Sequence, residues 1–134
     1  MRSFNLEIVT PDGLAYEGSV SSLLVRTDDG DIQILAGHVD YMAALGTGRA
    51  KLVLEDGKEL YASCSEGFIT VSAGQVRLVA VTFEFAGDID LDRAEQAKLK
   101  AEQLLAEAKD EKAELIARSK LRRAINRIKV AELK

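Results

Sequence analysis

Glu84-Phe85-Ala86-Gly87-Asp88-Ile89-Asp90-Leu91-Asp92-Arg93-Ala94 is the stretch on which the reading of this chain turns. All ten glycines and the single proline of the 134 residues fall at or before Gly87, and neither type occurs after it. Glycine and proline punctuate turns, whereas the alanine, leucine, glutamate and lysine that dominate beyond Gly87 favour helix. The stretch therefore divides the chain into two regions, 1–87 and 88–134. Charge divides at the same place: residues 1–87 carry 6 basic and 12 acidic side chains, and residues 88–134 carry 12 and 10. The balances of −6 and +2 suit mutual attraction, or different partners.

Downstream of the stretch the pattern is helical. Asp90 is placed to cap a helix from Leu91 onward, with Ile89 outside it as a staple residue, and Asp88, Asp90 and Asp92 complement the positive end of the helix dipole. Ala94, Ala97, Ala101, Leu104, Leu105 and Ala108 form one apolar stripe, and Ala117, Leu121, Ala124, Ile128 and Ala131 form a second. Two amphipathic helices follow, with the only break at Lys109-Asp110-Glu111-Lys112. That break holds neither glycine nor proline, so a single continuous helix of about 65 Å is scarcely forbidden. Alanine stripes bury little area, and the helices are expected to be held by only a few kcal/mol at about 25 cal/mol per Å².

Upstream the pattern is that of short strands. Phe4, Leu6 and Ile8 alternate with Asn5 and Glu7, and Thr10-Pro11-Asp12-Gly13 supplies a turn. Further strands are predicted at Val20 to Thr27, Asp31 to Leu35, Tyr41 to Leu45, Ala50 to Leu54, Leu60 to Cys64, Phe68 to Val71 and Gln75 to Phe83. Turn signals separate most of them, including Asp28-Asp29-Gly30, Gly46-Thr47-Gly48, Glu55-Asp56-Gly57, Ser65-Glu66-Gly67 and Ala73-Gly74. With no helical crossovers between strands, the reading is an antiparallel β-sandwich of about eight to ten short strands over 1–87, followed by an α-helical hairpin over 88–134.

The inventory of reactive groups is thin. The sequence lacks a phosphate-binding GxxxxGK[ST] loop, a GxGxxG, an HExxH, a CxxC and a nucleophile elbow. His38, the one histidine, reads as a structural or surface imidazole, and Cys64, the one cysteine, as a small buried hydrophobe. No metal site is expected, because zinc wants three or four clustered ligands. No apolar run reaches the roughly 18 residues of a membrane span, and no leader-like segment precedes the first strand at Met1-Arg2-Ser3.

Arg118, Lys120, Arg122, Arg123, Arg127 and Lys129 stand in twelve residues without an intervening acid. A solvated face, nucleic acid, an acidic protein and a nucleotide phosphate are the candidate readings. Nucleic acid is disfavoured, since the chain is acidic overall and the helical region carries no aromatic residue to stack on bases. Arg123 and Arg127 lie one helical turn apart, and two adjacent guanidinium forks suit a triphosphate or a row of carboxylates.

Four segments stand in a distinctive order and spacing: Phe4-Asn5-Leu6-Glu7-Ile8-Val9-Thr10-Pro11-Asp12, Gly30-Asp31-Ile32-Gln33-Ile34-Leu35-Ala36-Gly37-His38, Ser65-Glu66-Gly67-Phe68 and Ile89-Asp90-Leu91-Asp92-Arg93-Ala94. With these segments, a small β-sandwich followed by an alanine-rich helical hairpin resembles the ε subunit of bacterial and chloroplast F-type ATP synthases over essentially the whole chain. Ala36 and Val39-Asp40 stand where the family usually places prolines around the histidine.

The resemblance implies a non-catalytic rotor-stalk subunit, peripheral on the cytoplasmic face of the bacterial cell membrane. Its sandwich would dock on the γ subunit and the c-ring, with Asp31 and neighbouring Asp29 facing the ring. The hairpin would fold down or extend into the α/β catalytic head, where Arg118, Arg122 and Arg123 would meet acidic segments and obstruct hydrolysis. In some members the folded hairpin binds ATP, and the matching positions here are Glu84, Ile89, Asp90, Arg93, Ala94, Arg123 and Arg127. ATP would then be a regulatory ligand, with no cofactor required. A purely structural coupling subunit without nucleotide binding, and an unrelated adaptor for an acidic partner, are the competing readings.

Overall fold

The computed structural model describes residues 2–133; Met1 and Lys134, the outer ends of the two expected regions, lie outside the described residues. The chain separates into two compact units, Met1–Phe85 and Ala86–Lys134. The first contains β1 (Phe4–Thr10), β2 (Gly13–Thr27), β3 (Gly30–Leu35), β4 (Tyr41–Leu45), β5 (Gly48–Leu54), β6 (Glu59–Ser72) and β7 (Gln75–Phe85). The second contains a 3₁₀ turn (Ala86–Asp88), α1 (Leu91–Glu107) and α2 (Glu111–Ala131).

The seven strands form a β-sandwich in which β2 and β6 are long enough to serve both layers. One edge of β6 carries β7. Its other edge pairs with β5 over Glu59 to Cys64 and then with β4 over Gly67 to Val71. Likewise β2 carries β1 and then β3 on one edge, with β5 on the other. The ladders β1–β7–β6–β5–β2–β1 close on themselves. Closure satisfies backbone groups that an open sheet would leave at its edges. Leu6, Ile8, Leu23, Ile34, Leu52, Ile69 and Leu78 are completely buried in the core. Each such side chain contributes about 2 kcal/mol by its removal from water.

Two details depart from the sequence reading. The sandwich has seven strands because Leu60 to Cys64 and Phe68 to Val71 belong to one 14-residue strand. Ser65-Glu66-Gly67 is the bend at which β6 passes from β5 to β4, and not a chain reversal. Gly67 has φ +135°, and a Cβ there would stand 1.9 Å from the Val79 carbonyl oxygen, so only glycine lets β7 run this close. Secondly, β1 and β7 run parallel. No helix is needed for that crossover, since the whole of β2 to β6 makes the connection.

Two hairpins are closed by the same device. At Thr10-Pro11-Asp12-Gly13 the Thr10 hydroxyl accepts from the Asp12 N–H (3.2 Å) and donates to the Gly13 carbonyl (3.4 Å). At Thr27-Asp28-Asp29-Gly30 the Thr27 hydroxyl accepts from Asp29 N–H (3.1 Å) and donates to Gly30 O (2.7 Å).

In the second unit α1 and α2 pack together as a hairpin, each opened by an aspartate cap. Asp90 Oδ1 accepts from Arg93 N–H at 3.2 Å, and Asp110 Oδ1 from Ala113 N–H at 2.8 Å. The break therefore falls at Ala108 to Asp110. Side-chain burial follows a seven-residue repeat: Ala94 and Ala101 on α1, with Ala108 partly buried, and Ala117, Ala124 and Ala131 on α2. Ala97 and Leu104 were expected on the α1 stripe but are exposed, Leu104 at 41%. Lys98 lies half-buried in the row with Ala94, Ala101 and Leu105. The stripe read from apolar residues alone mixed two adjacent helical rows, only one of which faces the partner helix.

Candidate functional site

The candidate positions fall in three places. At the start of α1 the 3₁₀ turn leads into the Asp90 cap, and the Ile89 amide bonds the Ala86 carbonyl at 3.3 Å. Ile89 and Ala94 are buried, at 3% and 0% exposure. Their side chains fix the backbone of this turn while Asp90 and Arg93 remain exposed. Arg93 borders a shallow groove of about 430 Å³ along the outer side of α1, whose other lining residues are Gln96, Ala97, Leu99, Lys100 and Gln103. Neither Arg123 nor Arg127 lines that groove.

On α2 the basic tract separates by burial. Arg118, Lys120, Arg122 and Lys129 are exposed, whereas Ser119, Arg123, Asn126 and Arg127 are half-buried. Arg118 is committed to Glu114, its Nη2 and Nε donating to Oε1 at 2.7 and 3.1 Å. Arg123 Nη1 donates to the Ser119 hydroxyl at 3.0 Å. Both contacts are between residues four apart, which a helix brings together on one side. Glu114 and Ser119 were not among the positions selected from sequence, although that spacing was the signal for both.

On the sandwich, Glu84 lies near the end of β7, half-buried and opposite Ser63 of β6. It belongs to the first compact unit and the other six candidate nucleotide positions to the second. Asp31 lies opposite Arg26 across β2 and β3, and Arg26 Nη1 stands 3.3 Å from Asp31 Oδ1. Asp29 is exposed in the turn that joins those strands. Arg26 has an unusual seat: a Cβ at Gly48 would lie 2.6 Å from Arg26 Cβ and 2.9 Å from its Cγ.

The two residues read as structural have ordinary surroundings. His38 Nδ1 lies 2.8 Å from the Val39 carbonyl, and the ring meets Tyr41 edge-on at 5.6 Å. Cys64 is buried in the core, and desolvation pushes its thiol up to about 12. Among the described residues no three His, Cys, Asp or Glu side chains are grouped to hold a metal ion. No described helix is long and apolar enough to cross a membrane.

The described residues thus form a closed β-sandwich followed by an aspartate-capped helical hairpin. Residues 3–86 match the family model of the ATP synthase delta/epsilon chain β-sandwich domain, and residues 88–132 match that of the long α-helix domain of the same chain. The ATP synthase epsilon chain of Staphylococcus aureus strain JH9 is 40% identical over 135 residues, covering 100% of both chains. The chain belongs to the ATP synthase delta/epsilon chain family. Within it the chain stands with the epsilon subunits of F-type ATP synthases, stalk subunits rather than catalytic ones.

Solved structures share the fold. A chain of the Euglena gracilis mitochondrial ATP synthase, in a structure of its OSCP, F1 and c-ring, superposes with a TM-score of 0.81 at 23% identity, over 98% of this chain and 82% of that one. A chain of the Tetrahymena thermophila mitochondrial ATP synthase, from a structure of the central stalk and c-ring, gives 0.66 at 13% identity over 97% of each.

Proposed function

We propose that this chain is a non-catalytic rotor subunit whose helical hairpin responds to ATP and regulates hydrolysis by the enzyme. The sandwich docks on the γ subunit and the c-ring, with Asp31 and Asp29 as ring-facing residues; the occurrence of the structural relatives in assemblies that include a c-ring supports this reading. The subunit is thereby peripheral, held at the cytoplasmic face of the bacterial membrane through its partners. An extended hairpin presents Arg118, Arg122 and Arg123 to acidic segments of the α/β head.

The observation that carries the nucleotide reading is the placement of Arg123 and Arg127 four residues apart on the continuous helix α2, one turn from each other. Two guanidinium forks at this spacing match a polyphosphate. Asp90, Arg93 and Ala94 at the capped turn, with Ile89 behind them and Glu84 on β7, are the remaining positions assigned to ATP. If ATP binds the folded hairpin alone, it stabilises that form by about 2.7 kcal/mol at a hundredfold excess over Kd. High ATP then keeps the hairpin folded, and low ATP releases it to block wasteful hydrolysis.

A structural reading is favoured by one observation: the Asp90 carboxylate already caps α1. Isothermal titration of the full chain with ATP, ADP and GTP separates the two. One-to-one binding selective for ATP, abolished by Arg123→Ala with Arg127→Ala, is expected. Binding undiminished in that double variant would remove the phosphate assignment, and no binding at millimolar ATP would leave a purely coupling subunit.

A further inference from the structure

We propose that the last turn of α2, centred on Val130, is a latch that holds the hairpin closed, and that its release is the step that lets α2 part from α1. The regulatory consequence rests on the hairpin reading above, whereas the latch itself does not depend on ATP. Helix lengths bring its parts together. The chain reverses at Ala108 to Asp110, so α2 returns along α1, and with 21 residues against 17 it overshoots. At about 1.5 Å per residue the excess is about 6 Å, which carries the end of α2 past the start of α1 toward the 3₁₀ turn. Besides packing on α1, α2 packs against that turn.

The size of the buried side chains singles out the same end. Ala94, Ala101, Ala117 and Ala124 line the seam with single methyl groups. Among the described residues of the second unit, Ile89 and Val130 are the only side chains larger than alanine that are buried, at 3% and 2% exposure. Leu105, Leu121, Ile125 and Ile128 are only half-buried. Isoleucine and valine withdraw more carbon from water than alanine does, so burial per residue is greatest where α1 begins and α2 ends. Valine is also the poorer helix former, its branched Cβ losing rotamer freedom, so packing and not propensity supports Val130 in a final turn. At the opposite end the short connection ties the helices covalently, and they can part only from the Val130 end. Opening therefore withdraws Val130 before the alanine seam separates. Ile89 belongs to the turn assigned to ATP above, so a nucleotide bound there steadies the seat of the latch.

Hydrogen exchange of the full chain, read by mass spectrometry, tests this, because helices this short are marginal once separated and their amides then exchange. Val130→Ala is expected to accelerate exchange about tenfold, through loss of two buried carbons, both in the end of α2 (124–131) and in the start of α1 (91–98). Alanine is the better helix former, so such acceleration reports lost packing and not a weaker helix. Val130→Ile keeps the parent rates, and Leu105→Ala, near the connection, leaves both ends unchanged. Unaltered exchange of the β core shows that each variant folds. Acceleration confined to the end of α2 would overturn the latch, showing fraying alone, and so would equal acceleration of both ends by Leu105→Ala. Hydrolysis by a head reconstituted with Val130→Ala separates the latch from the reading it serves. Stronger inhibition accompanying faster exchange supports both; faster exchange at both ends with hydrolysis unchanged retains the latch and overturns its regulatory role.

Discussion

Glu114 and Arg118 face one another across a single turn of α2, with two guanidinium nitrogens on one carboxylate oxygen at 2.7 and 3.1 Å. Both side chains are about half exposed, so the pair is screened by solvent and Arg118→Ala is expected to cost no more than about 0.5 kcal/mol of stability. Glu114→Gln removes the competitor for Arg118. If Arg118 meets acidic segments of the head, Glu114→Gln strengthens inhibition of ATP hydrolysis by a head reconstituted with the variant. Hydrolysis unchanged by both substitutions would take Arg118 out of that contact.

Gly67 should tolerate no side chain. Gly67→Ala puts a Cβ against the Val79 carbonyl and imposes φ +135° on a residue that disfavours it. Close overlap and backbone strain together are expected to cost about 3 kcal/mol or more. A urea denaturation midpoint close to that of the parent would contradict the geometry of the β6 bend.

Gly48 makes a different demand. Its φ lies outside the left-handed region, so what excludes a side chain there is the stem of Arg26 and not its own backbone. Gly48→Ala is expected to destabilise the sandwich, and Arg26→Gly, which removes both the Cβ and the Cγ that the new methyl would meet, to relieve most of that loss. A double-mutant cycle should therefore give a coupling of about 1 kcal/mol or more. Additive effects in urea melts would show that the two positions do not share space.

Ala73 holds a left-handed conformation, φ 49°, in the β6–β7 turn, and its N–H donates to Asp40 Oδ1 at 3.0 Å. Ala73→Asn keeps that bond and suits the conformation better, with an expected gain of about 0.5–1 kcal/mol. Asp40→Ala is expected to cost about 1 kcal/mol by removing the acceptor. Thermal melts of the two variants should move in opposite directions.

Cys64 gives stability a dependence on alkaline pH. Its folded thiol is pushed from 9.0 to about 12 by burial, so the native state keeps a proton that the unfolded chain releases first. The contribution is complete below the unfolded value and is lost as pH rises from there through about 12, at up to about 1.4 kcal/mol per pH unit. Cys64→Ala should flatten this part of the pH profile, and iodoacetamide should modify the parent only as fast as it unfolds.

The sandwich and the hairpin were legible because their signals are local. Alternation at Phe4, Leu6 and Ile8 marks a strand that buries one face, and Asp90 announces the start of α1 through its cap. The bend at Ser65-Glu66-Gly67 was read as a turn because a small residue, a charged residue and a glycine look alike in both settings. What separates them is the change of partner from β5 to β4, a pairing between residues far apart in sequence. Parallel pairing of β1 with β7 escaped for the same reason.

For the candidate site the sequence supplied residue types without their surroundings. It could not say that Ile89 and Ala94 would be buried while Arg93 remained exposed. Nor did the basic tract disclose that Arg118 has a carboxylate partner and Arg123 a hydroxyl. Both partners stand four residues upstream, where charge counting over a window does not look.

The alanine row along both helices has a practical consequence. A seam lined by methyl groups has no space to absorb a longer side chain, so Ala101→Leu or Ala124→Leu would act as a wedge that pries the helices apart. The caps at Asp90 and Asp110 and every arginine would be left untouched. Such a wedged hairpin uncouples shape from chemistry: any change in regulation it causes belongs to the spacing of the two helices alone.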